Sequence, residues 1–298
     1  MGGRPAAGRP PLDVICHSQT PPPRKPPRAD ATAKGSSEEA LIHYEKGVKG
    51  LPNAAEAHNR YGLGLEAVGR RQEAIDQYGE ALRLSPDFPD ADNNLGNLML
   101  AQGKLDDAIA HLEKALRSKP DFLEALYNLG NALVAQGRID EGISHYRQAL
   151  RLRPVFADAN YNLGNALVLQ GRLAETISQY EEALRITAKF SRAHNDPDEV
   201  GALKNLAWAR ATHRNPKYRN GEEAVRLAGR AVQLTGHRDA VAVDILAASL
   251  AEAGNFEEAV KAGSEARELA ISAGQSQLAG EIGRRVNGYQ QRIPYHLP

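Results

Sequence analysis

Residues 123–154 read LEALYNLGNALVAQGRIDEGISHYRQALRLRP, and most of the chain is built from this unit. Displaced by 34 residues it falls on 89–120 in one direction and on 157–188 in the other. Turn glycines recur at Gly69, Gly103, Gly137 and Gly171, and a second glycine column runs Gly62, Gly96, Gly130, Gly164. Alanines recur at Ala81, Ala115, Ala149 and Ala183, and prolines at Pro52, Pro86, Pro120 and Pro154. A fixed period of this length means stacked supersecondary units that share one continuous core. Leu129 and Leu133, four apart, give the first half of the unit a helical apolar stripe. Ile143, Tyr146 and Leu150, with small Ala149, give one to the second half. Gly130 lies where the two helices approach closely, Gly137 ends the first helix, and Pro154 stops the second. Phe88, Phe122, Phe156 and Phe190 stand just before each following first helix, placed to pin the angle between units.

These columns resemble the tetratricopeptide (TPR) repeat, and residues 55–190 match it as four full repeats in register. The resemblance implies an all-α, right-handed solenoid of antiparallel helix pairs with a concave groove lined by the first helices. It implies a scaffold for other polypeptides.

Outside 55–190 the chain departs from the pattern. Residues 1–35 hold 8 of the 17 prolines, several cations and little apolar content. Such a segment cannot bury enough surface to offset its ordering entropy and is expected to be disordered, with a polyproline II tendency around 21–27. Its composition is that of a solvated linker, although PRKPPR at 23–28 contains a PxxP pattern with a trailing Arg. Ser36 with Glu39 forms a capping pair, and residues 36–52 form a second helix lacking its first, since Ala40, Tyr44 and Pro52 keep the period. Residues 191–236 are an expanded fifth repeat with a long connection, 237–271 a sixth repeat, and 275–292 a terminal capping helix. That last helix presents Leu278, Ile282, Val286 and Tyr289 on one face, with polar residues opposite.

Formal net charge is zero, from 37 basic and 37 acidic residues. That argues against a general nucleic-acid binder, which needs a basic surface. The single cysteine, Cys16, excludes an intrachain disulfide framework and a cysteine-based zinc site. No apolar run is long enough to span a membrane, and the basic N-terminus lacks the apolar core of a signal peptide, so a cytoplasmic location is the expectation. Walker, GxSxG, HExxH and kinase motifs are missing, so no enzyme and no cofactor or metal is expected. His43, His111 and His145 share one second-helix column and are expected on a solvated outer face, as are the acidic pairs Asp106–Asp107 and Glu181–Glu182.

The first helices carry the candidate site. Asn94, Asn128 and Asn162 each precede a core leucine, and Asn97, Asn131 and Asn165 follow three residues later. Residues three apart share a helix face, so stacking predicts two parallel asparagine ladders. A carboxamide donates and accepts at once, which suits the main chain of an extended peptide whatever its sequence. The pattern is similar to the asparagine ladder of O-GlcNAc transferase TPR superhelices, where such residues hold substrate backbone. Glu56, Asp90, Glu124 and Asp158 begin successive first helices and disfavour an acidic ligand. A TPR carboxylate clamp uses lysine where this chain has Asn93, Tyr127 and Tyr161, with Arg60 the only basic candidate. The tyrosines offer amphipathic rings to a neutral or basic peptide. Two rival roles are the recognition arm of an enzyme whose catalytic domain lies elsewhere, such as a glycosyltransferase, and a self-associating structural module.

Overall fold

The computed structural model describes residues 31–190 and 197–297. Among them are fourteen α-helices, one 3-10 turn and no strand. Residues 1–30 and 191–196 lie outside this description, and with them the disorder expected for the first 30 residues. The chain divides into two compact units at Pro154/Val155.

The N-terminal unit holds α1 (Ala31–Gly50), α2 (Ala55–Ala67), α3 (Arg71–Leu84), α4 (Pro89–Ala101), α5 (Leu105–Ser118), α6 (Leu123–Ala135) and α7 (Ile139–Leu152). α1 packs on α2, and α2/α3, α4/α5 and α6/α7 form helix pairs of the expected register. α1 starts five residues before the Ser36 cap, so 31–35 belong to the helix and not to the preceding segment. Ala31, Ala33 and Lys34 are good helix formers, and they carry the helix past the capping signal.

Each pair turns on the same device. Gly69, Gly103 and Gly137 have φ of 83°, 73° and 88°. At the first of these, Arg70 N–H reaches back to Leu65 O at 2.8 Å and Gly69 N–H to Glu66 O at 2.9 Å. Lys104 and Arg138 repeat the long bond to Met99 and Leu133. This double closure satisfies orphan carbonyls at the helix end and needs a left-handed residue, which glycine adopts without strain. Buried Leu65, Tyr78, Leu98, Leu112, Leu129, Leu133 and Tyr146 fill the space between the helices.

Phe122, at the N-cap of α6, is 7% exposed, and Lys119 Nζ sits 4.4 Å from its ring centroid. Phe122→Ala is expected to cost about 3 kcal/mol, the loss of a buried ring plus a cavity. Urea denaturation measures it; a midpoint equal to wild type would remove the pinning role.

The C-terminal unit holds α8 (Ala157–Leu169), α9 (Leu173–Phe190), α10 (Pro197–Thr212), the 3-10 turn Pro216–Tyr218, α11 (Gly221–Leu234), α12 (Ala240–Glu252), α13 (Phe256–Ser272) and α14 (Ser276–Gln290). The long connection of the expanded pair α10/α11 is fastened at several points. Asn215 Oδ1 accepts from Lys217 N–H at 3.0 Å, the His213 and Tyr218 rings pack at a tilt with centroids 4.8 Å apart, and Arg219 pairs with Glu252 of α12 at 2.8 Å.

α14 differs from its sequence reading in one respect. Leu278, Ile282, Val286 and Tyr289 do face inward, but Arg285 is also buried on that face, 6% exposed. It makes a two-pronged bond to Asp244 of α12, at 3.2 and 2.6 Å, and Asp244 is fully buried. Trp208 of α10 and Tyr295 each lie 5.6 Å from the guanidinium carbon. Residues 293–297 then fold back over the unit, with Leu297 N–H on Thr212 O at 2.8 Å and His296 on Glu252 at 2.7 Å. Within α14 a Cβ at Gly280 would meet nothing within 4 Å, so packing does not demand glycine there.

Candidate functional site

In the N-terminal unit, α2, α4 and α6 present four columns to solvent at helical spacing. They are Glu56/Asp90/Glu124, Arg60/Asn94/Asn128, Leu63/Asn97/Asn131 and Ala67/Ala101/Ala135, all half-buried or exposed. Opposite edges of the same helices are buried against their partners, which fixes this face outward.

The amides of this face are wired to one another across repeats. Asn94 Nδ2 donates to Asn59 Oδ1 on the preceding first helix at 3.1 Å, and Asn128 Nδ2 donates to Asn93 Oδ1 at 3.0 Å. Asn93 Nδ2 closes the link to Asn94 Oδ1 at 3.5 Å. The result is one directional relay, Asn128 to Asn93 to Asn94 to Asn59, running over three helices. Aligned amide dipoles polarise each other, so the relay strengthens its own terminal groups. Asn59 and Asn93 are buried and hold the half-exposed Asn94 and Asn128 in place. Asn93 is therefore a support for the face and not a point of contact.

The second ladder is anchored from below. Tyr146 Oη donates to Asn131 Oδ1 at 2.6 Å, and in the C-terminal unit Tyr180 Oη donates to Asn165 Oδ1 at 2.7 Å. Asn97 has Leu112 beneath it in place of tyrosine, and its half-buried amide makes no hydrogen bond among the described residues. One repeat earlier Leu63 replaces the asparagine, and Tyr78 donates instead to Glu66 at 3.1 Å. Burial pushes the Glu66 carboxyl above its usual range. Arg60 is exposed and paired with Glu56 at 2.6 Å.

The corresponding C-terminal positions are less open. Asn162 is 4% exposed and Tyr161 is 6% exposed. The Tyr161 ring lies 5.8 Å from that of Tyr180, and its hydroxyl would be 2.3 Å from a Cβ at Gly201 of α10. Tyr161 is thus a core residue covered by α10, not a ring offered to a ligand. The half-buried Tyr127 keeps part of its ring at the surface, 6.1 Å from Tyr146. Sequence reading missed Asn205, which reaches from α10 to Asn165 Oδ1 and Tyr180 Oη, both at 3.1 Å. Its position within the repeat is hidden because the register breaks after residue 190.

The histidine column needs correction. His111 is not on a solvated outer face: its Nδ1 lies 2.9 Å from the fully buried Asp92, which Lys114 also approaches at 3.1 Å. His145 is half-buried, because this column borders the contact between the two helices of a pair. His43 is exposed. The acidic pairs are bonded rather than simply solvated, Asp106 accepting from Gln136 at 2.6 Å, Glu181 from Arg210 and Glu182 from Arg185. Among the described residues no group of three His, Cys, Asp or Glu side chains is placed to hold a metal ion, and no helix is long and apolar enough to cross a membrane.

Burial holds the His145 ring below its ordinary pKa. Glu141 and Glu113 draw it upward and Arg138 down. His213 is lowered for the same first reason, with a backbone hydrogen bond at Asn215 opposing and the charges of Arg219 and Arg214 reinforcing. The unfolded chain therefore takes up these protons near pH 6.5, before the folded chain does. Their contribution is full above that pH and is lost as pH falls through the lower folded values. His145→Gln, the residue found at positions 77 and 179, is expected to reduce the fall in urea midpoint between pH 7.5 and pH 5. An unchanged fall would contradict this.

Residues 127–190 match the family described as Tetratricopeptide repeat, and residues 67–103 and 96–137 match the family described as TPR repeat. No curated protein matches the sequence. Among solved structures, the APC/C hetero-tetramer Cut9–Hcn1 aligns with a TM-score of 0.64 at 17% identity, over 85% of this chain and 46% of that one. YrrB, described as a TPR protein with an unusual peptide-binding site, aligns at 0.53 and 22% identity, over 68% and 97%. MamA aligns at 0.48 and 24% identity, over 54% and 96%. At these identities the first two establish a shared solenoid fold.

Proposed function

The chain is a tetratricopeptide repeat protein, and from that premise we propose that it binds an extended polypeptide on the exposed face of α2, α4 and α6, without catalysis. The observation that carries the reading is the amide relay. Its half-exposed members, Asn94 and Asn128, are held by buried amides and still have unused donor and acceptor positions, and Asn97 has its whole carboxamide available. Rigid, preoriented amides suit a main chain, whose N–H and C=O groups recur whatever the side chains. Packed helices lie about 10 Å apart and an extended chain advances about 3.3 Å per residue, so each helix addresses roughly every third residue. The acidic column beside the amides favours a neutral or basic ligand.

The test begins with a peptide selected from a random display library against the full chain. Three amide contacts at about 1 kcal/mol each predict that Asn94→Ala/Asn97→Ala/Asn128→Ala weakens its binding about 100-fold. Gln72→Ala, on α3, should leave affinity unchanged. A folded triple variant that binds as tightly as wild type would overturn the reading.

A further inference from the structure

We propose that α10 and α12 carry a second peptide site, which residues 293–297 occupy in cis. In trans it takes an extended peptide of the same order: an aromatic residue, a donor or cationic residue, then an apolar residue. The inference goes beyond the face of α2, α4 and α6 and stands on the C-terminal unit alone.

Register places the site. Counted back from the turn glycine Gly254, Ala248 stands six residues away and Glu252 two, as Asn131 and Ala135 stand before Gly137. They belong to two of the columns that α2, α4 and α6 leave open. Here Ala248 is 1% exposed and the Glu252 side chain 13% exposed. Residues 293–297, without regular secondary structure, meet this side of the unit one residue after another.

Each contact has its own chemistry. The Tyr295 ring lies 5.7 Å from that of Trp208, and the Arg285 guanidinium faces both rings. A cation beside the slot favours an electron-rich aromatic. His296 Nε2 lies 2.7 Å from Glu252 Oε2, while Arg219 Nε holds the other oxygen at 2.8 Å. A carboxylate fixed in this way selects a donor or a cation. Leu297 N–H donates to Thr212 O at 2.8 Å. Thr212 is the last residue of α10, so its carbonyl has no acceptor role within the helix. The Leu297 side chain packs against the core of the unit. An aromatic slot, a carboxylate and a main-chain acceptor are thus met by three successive residues.

The segment is held loosely. The turn closing α14 places Arg292 at φ 59°, whereas glycine takes the positive φ in the turns closing α2, α4, α6, α8, α12 and α13. A residue with a side chain is strained there, so the docked segment works against its own turn. Beyond that turn one main-chain bond ties it to the unit among the described residues, Pro294 has no N–H to give, and Ile293 is 56% exposed. A short linker gives it an effective concentration on the order of 1 mM. For an intrinsic Kd of about 100 μM, that raises the apparent Kd of a trans peptide about tenfold.

Trp208 is the only tryptophan, so its emission reads the site in the full chain. In Tyr295→Gly/His296→Gly/Leu297→Gly the emission should move to the red. A synthetic peptide of residues 291–298 should reverse the shift saturably and bind this variant about tenfold more tightly than it binds the native chain. The peptide with alanine in place of both Tyr295 and His296 should bind at least tenfold more weakly. On the native chain, the peptide carrying a nitroxide at its amino end should broaden the Trp208 indole N–H signal, and unlabelled peptide should restore it. That measurement does not depend on how the triple variant folds.

A triple variant with native emission would overturn occupancy in cis. An indole untouched by labelled peptide at millimolar concentration would make the segment a fixed strap and overturn the site. Broadening of Asn94, Asn97 and Asn128 instead would put the peptide on the N-terminal face, and this inference would fail while that face stands. Native emission that changes on dilution would make a second copy's segment the occupant and overturn the cis form.

Discussion

Asp244→Ala is expected to destabilise the C-terminal unit by about 3–5 kcal/mol, the cost of leaving a buried guanidinium without its counter-charge. Arg285 lies against Trp208 and Tyr295, is 6% exposed and is bonded through two nitrogens to Asp244, so loss of the carboxylate leaves its charge buried without a partner. Burial pushes the Asp244 carboxyl upward against the pull of Arg285, a sign of how much the pair loses in leaving solvent. Replacing both members with apolar residues removes that loss together with the attraction. Asp244→Leu/Arg285→Met is therefore expected to cost well under the Asp244→Ala value, within about 1.5 kcal/mol of wild type. Urea unfolding of the single and double variants gives the comparison. A single variant as mild as a surface change, or a double variant worse than the single, would contradict the account.

The second large effect lies in the glycine column. A Cβ at Gly130 would stand 2.6 Å from Cε1 and 2.7 Å from Cδ1 of Tyr146. That ring is 2% exposed and tied through its hydroxyl to Asn131, so it cannot swing aside. Gly130→Val is expected to cost about 3 kcal/mol through overpacking. Gly79, in the middle of α3, has nothing within 4 Å of a Cβ, and Gly79→Ala should gain up to about 1 kcal/mol from helix propensity. Opposite signs for two glycine substitutions in helices of one pair type separate packing from propensity. The same sign at both, in thermal or urea melts, would show that the Gly130–Tyr146 contact does not set the pair distance.

Much of this was legible in the sequence because the repeat averages over accidents. A glycine at one fixed offset is ambiguous; glycines at Gly69, Gly103 and Gly137 imply one turn used three times, and each has the left-handed φ that the turn requires. The asparagine columns were legible as columns. Their bonds were not, because the partner of Asn128 is Asn93, 35 positions away and on a neighbouring helix, and nothing local signals it. Tyr161 looked equivalent to Tyr127 by register, yet α10 covers it, and α10 follows the break in register that hides its own placement. Arg285 carried a readable signal: it lies three after Ile282 and four before Tyr289, hence on the docked face, and Asp244 interrupts the otherwise apolar start of α12. A buried charge read from spacing alone still needs its partner, which only the packing of α12 against α14 supplies.

The peptide face itself is tested most directly by side-chain amide spectra of the full chain titrated with a library-selected peptide. Asn94, Asn97 and Asn128 should shift saturably together, while Asn287, exposed on α14, stays still. Saturable binding that leaves those three signals in place would contradict the account.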